Sequence, residues 1–181
     1  MAGHSHWKQI KHHKGAADIK RGILFSKLLA AVSAAAKIES NPDFNPRLRT
    51  TIEKARAASV PQENIERAIS KATSGEVVTE EAVFEAYGPG GTALLIEAIT
   101  DSVNRTVAEI KLILRDHNGK WAEPGSVTWA FEPRTEENTP MWAAKFPLEI
   151  SEEDNKKLQE LIPLLEEQQD VQRVYTNARP I

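Results

Sequence analysis

"TALLIEAITDSVNRTVAEIKLIL" (Thr92–Leu114) changes period half-way along. Its first part, Thr92–Thr100, is a short apolar run of strand type. Its second part carries the capping box "TVAE" (Thr106–Glu109), followed by Ile110, Ile113 and Leu114 at helical spacing, so a helix is expected to run to about His117. A strand feeding a helix is half of a βαβ unit, and the rest of the chain can be read outward from it.

Downstream, "SVTWAFE" (Ser126–Glu132) alternates as a strand. "MWAAKFPLEI" (Met141–Ile150) does the same, with Trp142, Ala144, Phe146, Leu148 and Ile150 on one side. "SEED" (Ser151–Asp154) caps a helix that buries Leu158, Leu161, Ile162 and Leu165, and Pro163 is expected to bend it. "VQRVY" (Val171–Tyr175) is a last strand. The order is βαββαβ, ferredoxin-like, and it requires the two middle strands to be antiparallel neighbours. Trp129, Phe131, Trp142 and Phe146 would then pack under the two helices. "PRTEENTP" (133–140) is expected to be the loop between them. One extra strand is expected upstream at "VFEAY" (Val83–Tyr87), turning at "GPGG" (Gly88–Gly91). That turn lacks the Lys and Ser/Thr of a phosphate-binding loop.

Upstream the period is helical throughout. Ile19, Ile23, Leu24, Leu28, Val32 and Ala35 mark a first helix from Asp18 to Lys37. Asn45 and Pro46 form a cap and first turn for a second, through about Ala58. Pro61 opens a third, which "TSG" (Thr73–Gly75) ends. The fold class is α+β: a three-helix domain over 1–77, then a ferredoxin-like domain over 78–181.

The 181 residues are 40% hydrophobic and 27% charged, as in globular domains, with no cysteine and hence no disulfide or thiolate chemistry. No apolar run would span a bilayer and no secretory signal is evident, so a cytoplasmic protein without membrane contact is expected. No nucleophile motif, catalytic constellation or cofactor motif appears, and no enzyme activity is expected. The formal net charge is -3, but its distribution is lopsided. Residues 1–60 hold eleven basic and four acidic residues, a net of +7, and residues 61–181 carry -10. A basic face for a polyanion is the physical implication.

The basic opening runs from Ala2 to Gly22. Lys8, Lys11 and Lys14 recur at intervals of three, with Lys20, Arg21 and Lys27 beyond and Asp18 the one acid. Such a row repels itself until phosphates neutralise it. Trp7, with His4 and His12, adds flat rings able to stack on unpaired bases, and Ser5 adds a hydroxyl. Arg47 and Arg49 are secondary candidates. Arg105 is another, because an arginine at a helix start does not help the helix dipole and a phosphate would account for it. His4, His6, His12 and His13 match no structural zinc spacing. Without Met1, the Ala-Gly-His start could chelate copper or nickel incidentally, and no metal role is assigned.

"AGHSHWKQIKHHKGAADIKRGILFSKL" (2–28) resembles the opening signature of the YebC family. "NPRLRTTIEKARAASVPQENIERAI" (45–69), "YGPGGTALLIEAITDSVNRT" (87–106), "GSVTWAFE" (125–132) and "LLEEQQDVQRVYTN" (164–177) resemble its further blocks. His6 and His13 stand where that family usually has Lys and Arg. The family includes bacterial proteins called transcriptional regulators and the mitochondrial translational activator of cytochrome oxidase. The resemblance implies a monomeric ribosome- or rRNA-associated translation factor, with DNA-binding transcriptional regulation as the alternative. It also implies that 133–140 replaces an inserted third domain.

Overall fold

The computed structural model describes residues 4–76, 78–136 and 139–180, with the side chains of residues 4–16, 139 and 180 outside the description. The chain forms two compact units, Met1–Val78 and Thr79–Ile181.

The first unit is three helices: α1 (His4–Ala36), α2 (Pro46–Ala57) and α3 (Gln62–Ser74). Asn45 caps α2 as expected. Its side chain accepts from the Leu48 amide at 3.0 Å and donates to the Ala35 and Glu39 carbonyls at 2.9 and 2.6 Å. The cap therefore also ties α2 to the end of α1. Gly75 ends α3 with φ +74°, a left-handed conformation suited to glycine. The core gathers Val32, Ala35, Leu48, Ile52, Ala55, Val60, Ile65 and Ala72, with Phe25, Leu28 and Leu29 against its edge.

Two expectations for α1 change. The helix begins at His4 rather than near Asp18, so the basic opening belongs to the same helix as the core. Ile19 and Leu24 share the helical spacing but are 66% and 47% exposed. At 33 residues α1 is about 50 Å long, against 12 and 13 residues for α2 and α3. Among the residues whose side chains are described, the core of this unit engages it from Phe25 onward.

The second unit begins with β1 (Glu80–Tyr87), β2 (Ala93–Thr100), α4 (Val103–Asp116) and β3 (Lys120–Ala122). It continues with β4 (Phe131–Glu136), β5 (Thr139–Ala144), β6 (Leu148–Ile150), α5 (Glu152–Glu167), β7 (Val171–Thr176) and β8 (Ala178–Pro180). Its main sheet has the order β3-β1-β2-β7, antiparallel at every step. β2, α4 and β3 form a split βαβ unit around β1, and α5 returns the chain to β7 beside β2. That is the spatial layout of a ferredoxin-like sheet with its two helices on one face, but the chain runs through it as ββαβαβ rather than the expected βαββαβ, because the strand between β2 and β3 comes first in the chain.

The strands filling that arrangement are not all the expected ones. The strand at "VFEAY" is a central member of the sheet, joined to β2 by a tight turn in which Gly90 has φ +70°. A Cβ there would lie 3.0 Å from Ile150 Cγ2, so both conformation and space call for glycine. The strand after α4 is the three-residue β3, too short to show alternation. Ser126–Glu132 is instead a bend and a 3-10 turn (Thr128–Ala130) leading into β4. Met141–Ile150 divides into β5 and β6, and β6 pairs in parallel with β8. β4 and β5 are antiparallel neighbours as expected, with Phe131 opposite Ala144, but they form a separate ribbon. Nor is 133–140 a loop. Pro133 pairs with Trp142 and Glu136 with Thr139, so its described residues belong to the two strands. A proline suits such a ribbon because each strand has a free side where no amide is required.

These differences follow from β2. Its Leu94, Ile96 and Ala98 join Ile110, Leu114, Leu158, Leu161 and Leu165 beneath the helices. Its Ala93 and Leu95 join Val127, Ala130, Phe131 and Tyr175 on the opposite face, with Met141 and Trp142 against them. A strand covered on both faces is a continuous apolar run, and "ALLIEAIT" is one. The aromatics therefore sit on the sheet face away from the helices. Phe131 is buried there, whereas Trp129 and Phe146 are 63% and 50% exposed, with ring centroids 5.7 Å apart.

α4 starts at Val103, earlier than the capping box implied. Thr106 is buried inside it and bonds sideways, to Thr100 Oγ1 at 2.8 Å and Asp170 Oδ2 at 2.7 Å. α5 continues through Pro163, which is exposed and offers no amide to the Gln159 carbonyl. Burial of Leu158, Leu161 and Leu165 offsets that defect. Replacing Pro163 with Ala is expected to raise the unfolding free energy by about 2 kcal/mol. Urea denaturation measures it, and a midpoint that falls would overturn the packing account.

Candidate nucleic-acid interface

α1 supplies the basic candidates. Lys20 and Lys27 are seven residues apart, two helical turns, and share a face with the exposed Leu24 between them. Arg21 is exposed on the neighbouring face. His4, Ser5, Trp7, Lys8, Lys11, His12 and Lys14 fall within the α1 backbone, but their side chains lie outside the described residues. So do Ala2 and Gly3 of the possible copper or nickel site. Arg47 and Arg49 are exposed in the first turns of α2. Residues 1–78 as a whole hold thirteen basic and seven acidic residues, a net of +6, against -9 for 79–181.

Arg105 has a different setting. Its guanidinium donates to Asp101 at 2.8 Å and to Asp170 at 2.9 Å. Asp170 also accepts from Thr106, from Thr100 at 3.3 Å and from Gln168 at 3.3 Å. Burial alone would raise the Asp170 pKa. The bonds from Arg105, Thr106 and Gln168 outweigh it and hold the carboxyl below its ordinary range, while the Asp170 and Asp101 bonds raise that of Arg105. This network joins the end of β2, the start of α4 and the entry to β7. It accounts for an arginine at a helix start without a phosphate.

Two features escaped the sequence reading. Glu85 of β1 is buried, and its carboxylate accepts from the amides of Gly125, Val127 and Thr128 at 2.6, 2.6 and 3.0 Å and from Thr128 Oγ1 at 2.5 Å. This clamp turns the chain before β4 and directs Trp129 outward, where its indole N–H bonds the Ser126 carbonyl at 2.8 Å. The second is Phe44, in the connection between α1 and α2 and 77% exposed. An aromatic among "SNPDFNP" was the available signal. Among the described residues, no group of three His, Asp or Glu could hold a metal, and no helix is long and apolar enough to cross a membrane.

Residues 5–75 match the TACO1/YebC protein N-terminal domain, and residues 79–136 match the TACO1/YebC second and third domain. The fold is similar to that of a conserved hypothetical protein, Aq1575, from Aquifex aeolicus, with a TM-score of 0.82 and 31% identity over 98% of each chain. The chain belongs to the TACO1/YebC family. Relatives in it include a probable transcriptional regulatory protein of Trichlorobacter lovleyi, 51% identical over 74% of this chain and 56% of that one. Another of the same description, from Dictyoglomus turgidum, is 51% identical over 74% of this chain and 55% of its own. The chain thus spans about half the length of these curated relatives of the family. The second family match ends at Glu136, the last residue of β4.

Proposed function

We propose that the protein is a non-enzymatic, cytoplasmic regulator of gene expression that binds RNA, acting as a monomeric factor associated with the ribosome in translation. The observation that carries this reading is the division of charge, +6 on residues 1–78 against -9 on the remainder. A polyanion is attracted to the first unit and repelled by the second. Lys8, Lys11, Lys14, Lys20, Arg21 and Lys27 would meet phosphates, Trp7, His4 and His12 would lie near bases with Ser5 beside them, and Arg47 and Arg49 would add outer contacts. Arg105 takes a structural part in this reading. The segment 133–140 stands where the longer relatives carry a third domain.

The second reading is a DNA-binding transcriptional regulator, and the names of the relatives favour it. Sedimentation of a cell lysate through a sucrose gradient separates the two. Co-migration with ribosomes that ribonuclease abolishes is expected, whereas migration with the nucleoid, lost on deoxyribonuclease treatment, would replace RNA by DNA.

A further inference from the structure

We propose that Phe44 is a stacking contact for an unpaired base of the bound nucleic acid, separate from the basic opening of α1. The inference rests on the RNA reading above. Phe44 exposes a larger fraction of itself than any other large apolar side chain among the described residues. Its ring takes no part in the helical core of the first unit. A single exposed apolar residue is common on a protein surface; what sets Phe44 apart is a flat ring, open to solvent, in a unit of net positive charge.

The backbone that presents it is fixed. The Phe44 amide donates to the Asn41 carbonyl at 3.1 Å and the Asn45 amide to Pro42 at 3.4 Å. The Asp43 amide donates to Asn41 Oδ1 at 2.9 Å, and the Asn41 amide to Glu39 Oε1 at 2.8 Å. Asn45, next in sequence, is buried and joins Ala35, Glu39 and Leu48. A backbone ordered before binding spares part of the freedom that binding would otherwise cost.

The surroundings select the partner. Arg47 and Arg49 follow within five residues and Lys37 precedes, against Glu39 and Asp43, a local net of +1 inside a unit of +6. A flat apolar ring three and five residues before two arginines suits a nucleotide, with its base on the ring and its phosphate toward an arginine. A duplex keeps its bases stacked inside, so the fit is to a single strand.

The test uses the full chain and an unstructured RNA oligonucleotide carrying 2-aminopurine, with a duplex of the same sequence as control. Phe44→Ala is expected to weaken single-strand binding about tenfold or more. The salt slope should not change, because no charge is lost. Quenching of 2-aminopurine should disappear in Phe44→Ala and persist in Phe44→Tyr, and duplex affinity should be unaltered. The exposed position predicts an unchanged thermal midpoint. Single-strand affinity equal to wild type, or an equal loss on duplex, would overturn the stacking role. Loss of ribosome co-sedimentation with RNA affinity intact would overturn it too, in favour of a protein partner for the ring. A wild-type protein with no RNA affinity would overturn the RNA reading itself.

Discussion

Charge reversal at Lys8 and Lys11 together, Lys8→Glu with Lys11→Glu, is expected to abolish RNA binding and leave the fold intact. Each substitution removes a cation and puts an anion where a phosphate would sit. If about six phosphates are contacted, wild-type affinity falls about a thousandfold between 50 and 200 mM salt, because each contact releases condensed counterions. The fold should survive because, among the residues whose side chains are described, the helical core first engages α1 at Phe25, well beyond both positions. Fluorescence anisotropy across that salt range checks the binding, and the thermal midpoint checks the fold. An affinity flat with salt would defeat the electrostatic account. A lowered midpoint in the double variant would show that the opening of α1 contributes to the core.

The second large effect is expected at Glu85. Glu85→Ala removes the acceptor of three backbone amides and one hydroxyl, and Val127, which supplies one of those amides, is buried. A loss of about 2–4 kcal/mol is expected. The effect also depends on pH. Burial acts to raise the Glu85 pKa, but the bonds from Thr128, Val127 and Gly125 together bring it below the ordinary value of 4.5. The unfolded chain therefore takes up the proton first. The stabilisation is complete above about pH 4.5 and is lost as pH falls through the lower folded-state value. Asp170 has the same sign, so Glu85→Gln should remove part of the acid sensitivity and leave the rest. Urea midpoints between pH 7 and 3 measure this. A wild-type stability that rises on acidification would contradict the clamp.

The sequence was most legible where one residue type had one physical use. Asn45 before Pro46 is a cap in any context, and the structure adds only that the same amide group also holds the end of α1. The unbroken apolar run of β2 identified a buried strand. It did not reveal that both faces were covered, and so the aromatics were assigned to the helix side. β3 carried no signal, since three residues cannot display a period. The alternation around Trp129 was misleading because Glu85, some forty residues earlier, forces a turn there. Such long-range bonds leave no local trace. Arg105 was legible as an anomaly, but its explanation lay in Asp170, 65 residues further along the chain. Of the basic candidates, charge was plain from composition, whereas the display of Phe44 depended on a hydrogen-bonded connection that no periodicity describes.

The β4–β5 ribbon has a consequence for how this protein could change over time. Its base is anchored by Phe131 and Trp142, while Glu132–Glu136 contribute nothing to the buried cores. Antiparallel partners leave the chain's outgoing and returning ends side by side. Material whose own termini lie close together can be spliced between them, or cut out again, without altering the register of the main sheet. The ribbon is therefore a graft point, at which a lineage could acquire or shed whole modules while the remaining architecture stayed intact.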